Sequence, residues 1–127
     1  MMQGMYRTKN IKTPKIPICV DFDGVIHAYR RGFADGSIYD EPMPGTAQAL
    51  RELRKRYFVY VMSTRTKDGA GRTAVLRYLK KHKIPFDKVV AYKPPAKAYI
   101  DDRALRFVTW SQTLRDLKKL RRVLKGL

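Results

Sequence analysis

Two carboxylates stand one residue apart, with a glycine straight after them, in the stretch Ile18-Cys19-Val20-Asp21-Phe22-Asp23-Gly24-Val25-Ile26-His27. Two more acids, Asp101 and Asp102, sit side by side far downstream, and between the two sites come Ser63-Thr64-Arg65 and Lys93. Carboxylates brought close together repel, and burial makes each costlier, so a cation or a proton-transfer task is the natural compensation. Clustered carboxylate oxygens suit a hard cation, above all Mg²⁺, which takes one or two carboxylates together with waters and substrate phosphate. Two histidines and a single cysteine argue against zinc. Beside such a cation one carboxylate stays ionised and can attack phosphorus, while a second protonates the leaving oxygen and then activates water. The Ser63 hydroxyl and the Lys93 ammonium are of the right kind to hold phosphoryl oxygens. An isolated Asp-x-Asp-Gly is an ordinary turn; its companions give it weight.

The elements that must position these residues follow from the apolar pattern. Residues 16–20, bounded by Pro14 and Pro17, read as a buried first strand ending near Asp21, so that Phe22 turns back towards the core. Residues 28–41 are polar, contain Gly32 and Asp35-Gly36, and predict a flap or small hairpin. A helix starts near Pro44, with Ala47, Ala49, Leu50 and Leu53 inward, and a second strand covers 57–62. A second helix over 72–82 turns Val75, Leu76 and Leu79 inward; strands follow at 87–92 and 98–100, and 105–109 reads as an edge strand. The last helix, 111–125, carries Leu114, Leu117, Leu120 and Leu124 on one face and Arg115, Lys118, Lys119, Arg121, Arg122 and Lys125 around the rest. Strands alternating with helices predict a three-layer α/β fold, a mostly parallel sheet with helices on both faces. In such sheets the crevice lies beyond the carboxyl ends of the strands. Asp21 and Asp23, Ser63 and Thr64, Lys93, and Asp101 and Asp102 all fall at those ends.

Composition bounds the rest. At 127 residues and 44% hydrophobic, the chain predicts one globular domain over 16–127, preceded by a flexible basic arm over 1–15. Cys19, the one cysteine, is expected in the core and fits a reducing compartment. Neither a membrane span nor a secretory signal is evident, which predicts a cytoplasmic protein. With 28 Lys and Arg against 11 acids the net charge is +17. A field of that sign attracts phosphorylated substrates and nucleic acid, with the 111–125 helix as the first candidate for contact.

The order Asp-x-Asp-Gly-Val, strand-end Ser/Thr, Lys, and a hydrophobic strand running into Asp-Asp resembles the haloacid dehalogenase-like (HAD) hydrolases. Residues 17–107 carry the resemblance, closest to small bacterial and phage members with almost no cap. The runs Lys93-Pro94-Pro95-Ala96 and Tyr99-Ile100-Asp101-Asp102-Arg103-Ala104 are typical of that subgroup. The resemblance implies a Rossmann-like fold in which a flap at about 26–43 stands in place of a cap. It further implies a Mg²⁺-dependent phosphohydrolase with Asp21 as nucleophile and metal ligand, and Asp23 as acid/base and carbonyl ligand. Ser63 (or Thr64) would bind phosphate, Lys93 (or Lys97) would orient it, and Asp102 would ligate the metal, with Asp101 bound through water or supporting the ligands from behind. Gly24, Thr64, Arg65, His27 and Arg30 are the expected substrate contacts. An uncapped crevice suits a large substrate such as a nucleic-acid end or a phosphoprotein, or a nucleotide. The competing expectation is a basic nucleic-acid-binding accessory protein with little turnover. A receiver-like signalling domain fits less well, since its phosphorylated Asp would lie on a later strand than the acidic pair.

Overall fold

A computed structural model describes residues 14–124. Strands β1 (Ile16–Asp21), β2 (Tyr57–Met62), β3 (Lys88–Val90) and β4 (Ala98–Ile100) alternate with helices α1 (Thr46–Arg54) and α2 (Gly69–Lys81). A 3₁₀ turn, Thr64–Lys67, precedes α2, and helix α3 (Trp110–Leu124) follows β4. All strand pairs are parallel, in the order β3-β2-β1-β4. The chain is therefore α/β around a four-stranded parallel sheet, compatible with a Rossmann-like arrangement.

Register decides what reaches the carboxyl ends. β1 pairs with β2 from Ile16↔Tyr57 to Asp21↔Met62, and with β4 from Ile18↔Ala98 to Val20↔Ile100. Asp21 thus closes β1 beside the point where β4 runs into Asp101. Residues paired across parallel strands point the same way, so Ile18, Val20, Val59, Val61 and Val89 share one face. There they meet Leu50 of α1 and Val75, Tyr78 and Leu79 of α2, with Phe22 and Ile26 completing the core. Both helices pack into the same core on this side, as the rule of right-handed crossovers requires when the chain steps the same way from β1 to β2 to β3. The other face, with Cys19, Tyr60 and Tyr99, is crossed by residues 91–97, where the Tyr99 hydroxyl donates to the Pro94 carbonyl.

Several expectations need correction. Helices do not cover both faces: α1 and α2 share one, and α3 docks on neither among the described residues, leaving Trp110, Leu114 and Leu117 exposed. Residues 105–109 form no strand, because their apolar side chains lie alongside no ladder. β3 is shorter than 87–92, since the chain bends away at Ala91 to begin the crossover. α2 starts earlier than Arg72 because the Asp68 side chain accepts the Gly71 N–H (2.8 Å) and caps it. Ala49 faces outward, whereas Thr46 is buried and its hydroxyl donates to the Met43 carbonyl (2.7 Å). The basic arm, apart from Pro14 and Lys15, lies outside the described residues, as do Lys125 and the Leu124 side chain. Among the described residues no helix is long and apolar enough to cross a membrane.

The flap is an irregular loop stapled by its own hydrogen bonds. Its base closes where Ala28 N–H donates to Glu41 O (3.0 Å) and Met43 N–H to Ile26 O (2.8 Å). Above that, the Tyr39 hydroxyl accepts the Arg31 N–H and donates to Gly32 O, while Arg30 pairs with Asp40 (2.6 Å).

Candidate active site

The turn after β1 is built on one carbonyl. Phe22 O accepts the N–H groups of Ile26 and His27 (2.9 Å each), and Gly24 N–H donates back to His27 O (2.8 Å). This holds Phe22 fully buried in the core and leaves Asp21 and Asp23 half-buried at the strand end. Gly24 sits at φ +89°, and a Cβ there would come 2.3 Å from Asp102 Oδ2. The Asp102 carboxylate therefore rests against bare backbone in a space that only glycine leaves open.

One carboxylate oxygen from each of Asp21, Asp101 and Asp102 lies within 4.8 Å of the other two. They line a cleft of about 200 Å³ together with Asp23, Tyr29 and Arg103. Burial, then the charge of Asp101, and beyond it those of Asp102 and Asp23, push the Asp21 carboxyl up from 3.8 to about 6, against a hydrogen bond from the Phe22 N–H. An all-oxygen donor set of this size, with room left for water and a phosphate, fits Mg²⁺ better than a transition metal.

The remaining expected site residues lie apart from one another. Ser63 is buried at the end of β2, and its hydroxyl accepts the Arg65 N–H (3.2 Å) as the cap of the 3₁₀ turn. Thr64 and Arg65 line a neighbouring cleft of about 440 Å³ with Phe33, Gly36, Lys67 and Asp68. Arg65 stands between the two clefts, for its Nε–H donates to Asp23 Oδ2 (2.9 Å). Neither Ser63 nor Lys93 lines the acidic cleft. The Lys93 ammonium lies 4.3 Å from the centre of the Tyr99 ring, on the sheet face that the crossover covers. Arg30 is occupied by Asp40 within the flap.

His27 requires a clear correction. Expected to touch substrate, it is 0% exposed, enclosed by the rings of Phe22, Tyr29, Tyr39 and Tyr78. Bulk substrate cannot reach it. Arg103 is the cleft residue that sequence reasoning passed over; its N–H donates to Asp101 Oδ1 (2.7 Å). The signal was its place directly after Asp101-Asp102. Cys19 is core as expected: burial first, then Asp21, pushes its thiol up to about 11, so it is no nucleophile.

No family model, no curated protein and no solved structure matches this chain.

Proposed function

We propose that the protein is a Mg²⁺-dependent phosphohydrolase of HAD-like fold, working through an aspartyl-phosphate on Asp21. The observation that carries this reading is the convergence of Asp21, Asp101 and Asp102 from two adjacent strand ends, with Asp23 in the same cleft. Asp21, Asp102 and Asp101, together with the Asp23 carbonyl, would hold the cation, which supplies charge neutralisation for the phosphoryl oxygens. An Asp21 oxygen attacks phosphorus and the bond to the leaving oxygen breaks, with the Asp23 carboxyl giving that oxygen its proton. Asp23, now ionised, takes a proton from water; the water oxygen attacks phosphorus, and the bond to Asp21 breaks to release phosphate. In this reading Arg103, which lines the cleft, takes the part expected of Lys93 in offsetting charge on the phosphoryl oxygens.

The substrate is a nucleotide or a phosphorylated nucleic-acid end. The reasons are a net charge of +17 and a second cleft beside Asp23 lined by Phe33, Arg65 and Lys67. The test is phosphate release with Mg²⁺ from 3′- and 5′-phosphorylated oligonucleotides and free nucleotides, run on wild type beside Asp21→Asn. Activity in the wild type that vanishes in the variant supports the proposal, and activity unchanged by Asp21→Asn refutes it.

A second reading is favoured by the position of Lys93, outside the cleft. In that reading the protein is a basic nucleic-acid-binding accessory on the same fold, contacting phosphates through α3. Steeply salt-dependent DNA or RNA binding, without phosphate release and indifferent to Asp21→Asn, selects it.

A further inference from the structure

His27 is a fully buried titratable group that the chemistry above does not use, yet both its ring nitrogens are occupied. Nε2 faces the backbone N–H of Asp40 at 3.1 Å and must accept from it, so the ring proton sits on Nδ1. Nδ1–H then donates to Asp23 Oδ1 at 2.8 Å. The other oxygen of the same carboxylate receives the Arg65 Nε–H at 2.9 Å. Arg65 in turn donates from Nη1 to the Gly36 carbonyl at 2.6 Å, and its side chain is 10% exposed. Each support is therefore anchored in the flap, one at Asp40 near its end and one at Gly36 near its tip. Simple core filling would need only an apolar side chain of similar volume among the four aromatic rings. Two nitrogens, each with a correctly paired partner, are what orienting a neighbour requires.

We propose that His27 and Arg65 are positioning residues: together they set the orientation of the Asp23 carboxylate and tie it to the 28–41 flap. Each Asp23 oxygen keeps a second lone pair free for the proton it handles. The catalytic consequence rests on Asp23 as the acid/base; the mechanical link does not. A flap displaced by a bulky leaving group would carry Asp23 with it, and a flap seated on that group would align it.

The catalytic arm of the test uses leaving groups of different basicity. An alkyl phosphate, such as a 3′-phosphorylated oligonucleotide, needs its leaving oxygen protonated, whereas p-nitrophenyl phosphate hardly does. His27→Leu should lower the single-turnover rate of leaving-group release about 100-fold on the alkyl ester and leave it within about threefold on p-nitrophenyl phosphate. Steady-state kcat falls on both wherever hydrolysis of the Asp21 phosphate limits, because Asp23 is also the base of that shared step. His27→Asn keeps an N–H donor at the place of Nδ1 and should restore most of the loss. Arg65→Met, at a less enclosed position, should show the same selective loss in that single-turnover rate and covers the case in which His27→Leu does not fold. The rate is read at saturating enzyme, because Arg65 also lines the second cleft and its loss raises KM. Equal losses on both esters in the single-turnover rate of leaving-group release in Arg65→Met would overturn the proposal. The second arm needs no turnover: ¹⁵N NMR of wild-type His27 should show a slowly exchanging proton on Nδ1 and none on Nε2, with the Asp40 amide protected. A proton on Nε2, or a freely exchanging Asp40 amide, would overturn the link to the flap. If the wild type hydrolyses no phosphate ester, the phosphohydrolase reading fails and the NMR result alone decides the link.

Discussion

Replacing Asp21 by Asn should make the metal-free protein more stable at pH 8, an unusual outcome for a change at the centre of a site. The Asp21 carboxyl stands at about 6 in the folded protein, raised by burial and by Asp101, Asp102 and Asp23, against an ordinary 3.8. A folded value above the unfolded one means that the native state binds the proton more tightly. Stability contributed by this group is therefore complete below pH 4 and is lost as pH rises towards 6. The rise from 3.8 to about 6 sets an upper bound of about 3 kcal/mol, at ~1.4 kcal/mol per tenfold change in proton affinity. Asp21 is only partly buried, and solvent screening reduces that to about 1–2 kcal/mol. Asn is nearly isosteric and keeps the oxygen that accepts the Phe22 N–H at 3.0 Å. The expected result is a thermal midpoint about 3–8 °C above wild type at pH 8, closing towards pH 4. Mg²⁺ should raise the wild-type midpoint at pH 8 and leave the variant almost unmoved. Differential scanning calorimetry in a chelator, then with added Mg²⁺, reads both effects. A variant no more stable than wild type at pH 8, or a gap equal at pH 4 and pH 8, would show that these carboxylates do not crowd one another.

Gly24→Ala should weaken Mg²⁺ binding at least about tenfold by isothermal titration calorimetry, because the new Cβ would sit 2.3 Å from Asp102 Oδ2 at a φ of +89°. Gly71→Ala tests the support instead of the site. Its Cβ would fall 1.8 Å from the Arg65 carbonyl oxygen, so urea unfolding should report a loss of about 2–4 kcal/mol. The Cys19 thiol, 1% exposed and pushed up to about 11, should resist a disulfide reagent at pH 8 in the native protein and react at once in guanidinium. Rapid native labelling would show that this strand opens readily.

What was legible in the sequence was whatever has a local cause. β1 and β2 announce themselves as short apolar runs, and the acids at β1 and β4 stand out because polar residues end those runs abruptly. The α/β alternation then predicts a parallel sheet, and a parallel sheet brings its strand ends together. Lys93 escaped because the same pattern does not say on which side a crossover passes. The chain leaves β3, crosses the face opposite α1 and α2, and carries Lys93 onto Tyr99. His27 escaped for a different reason. Its place just after the Asp-x-Asp-Gly motif made it an expected substrate contact, but the hydrogen bonds on Phe22 O fold the turn inward and bury the ring. For α3 the amphipathic period is plain in sequence, yet amphipathicity specifies that a face wants cover, not what covers it.

The electrostatics of the site sharpen what the proposal demands. Three carboxylates within 4.8 Å of one another would meet an arriving phosphate dianion with repulsion of about 4 kcal/mol per charge pair at 4 Å and an effective dielectric near 20. The surrounding charge of +17 acts over longer distances, is cut down within about 8 Å at physiological salt, and so brings phosphates to the rim without admitting them. Long-range attraction and local repulsion separate cleanly by experiment. Inorganic phosphate should bind the acidic cleft only when Mg²⁺ is present, while DNA should bind the exterior with or without it and with a steep salt dependence. Phosphate protection of the Gly24 and Asp102 amides in a chelator, at the same affinity as in Mg²⁺, would contradict the assignment of those carboxylates to a cation.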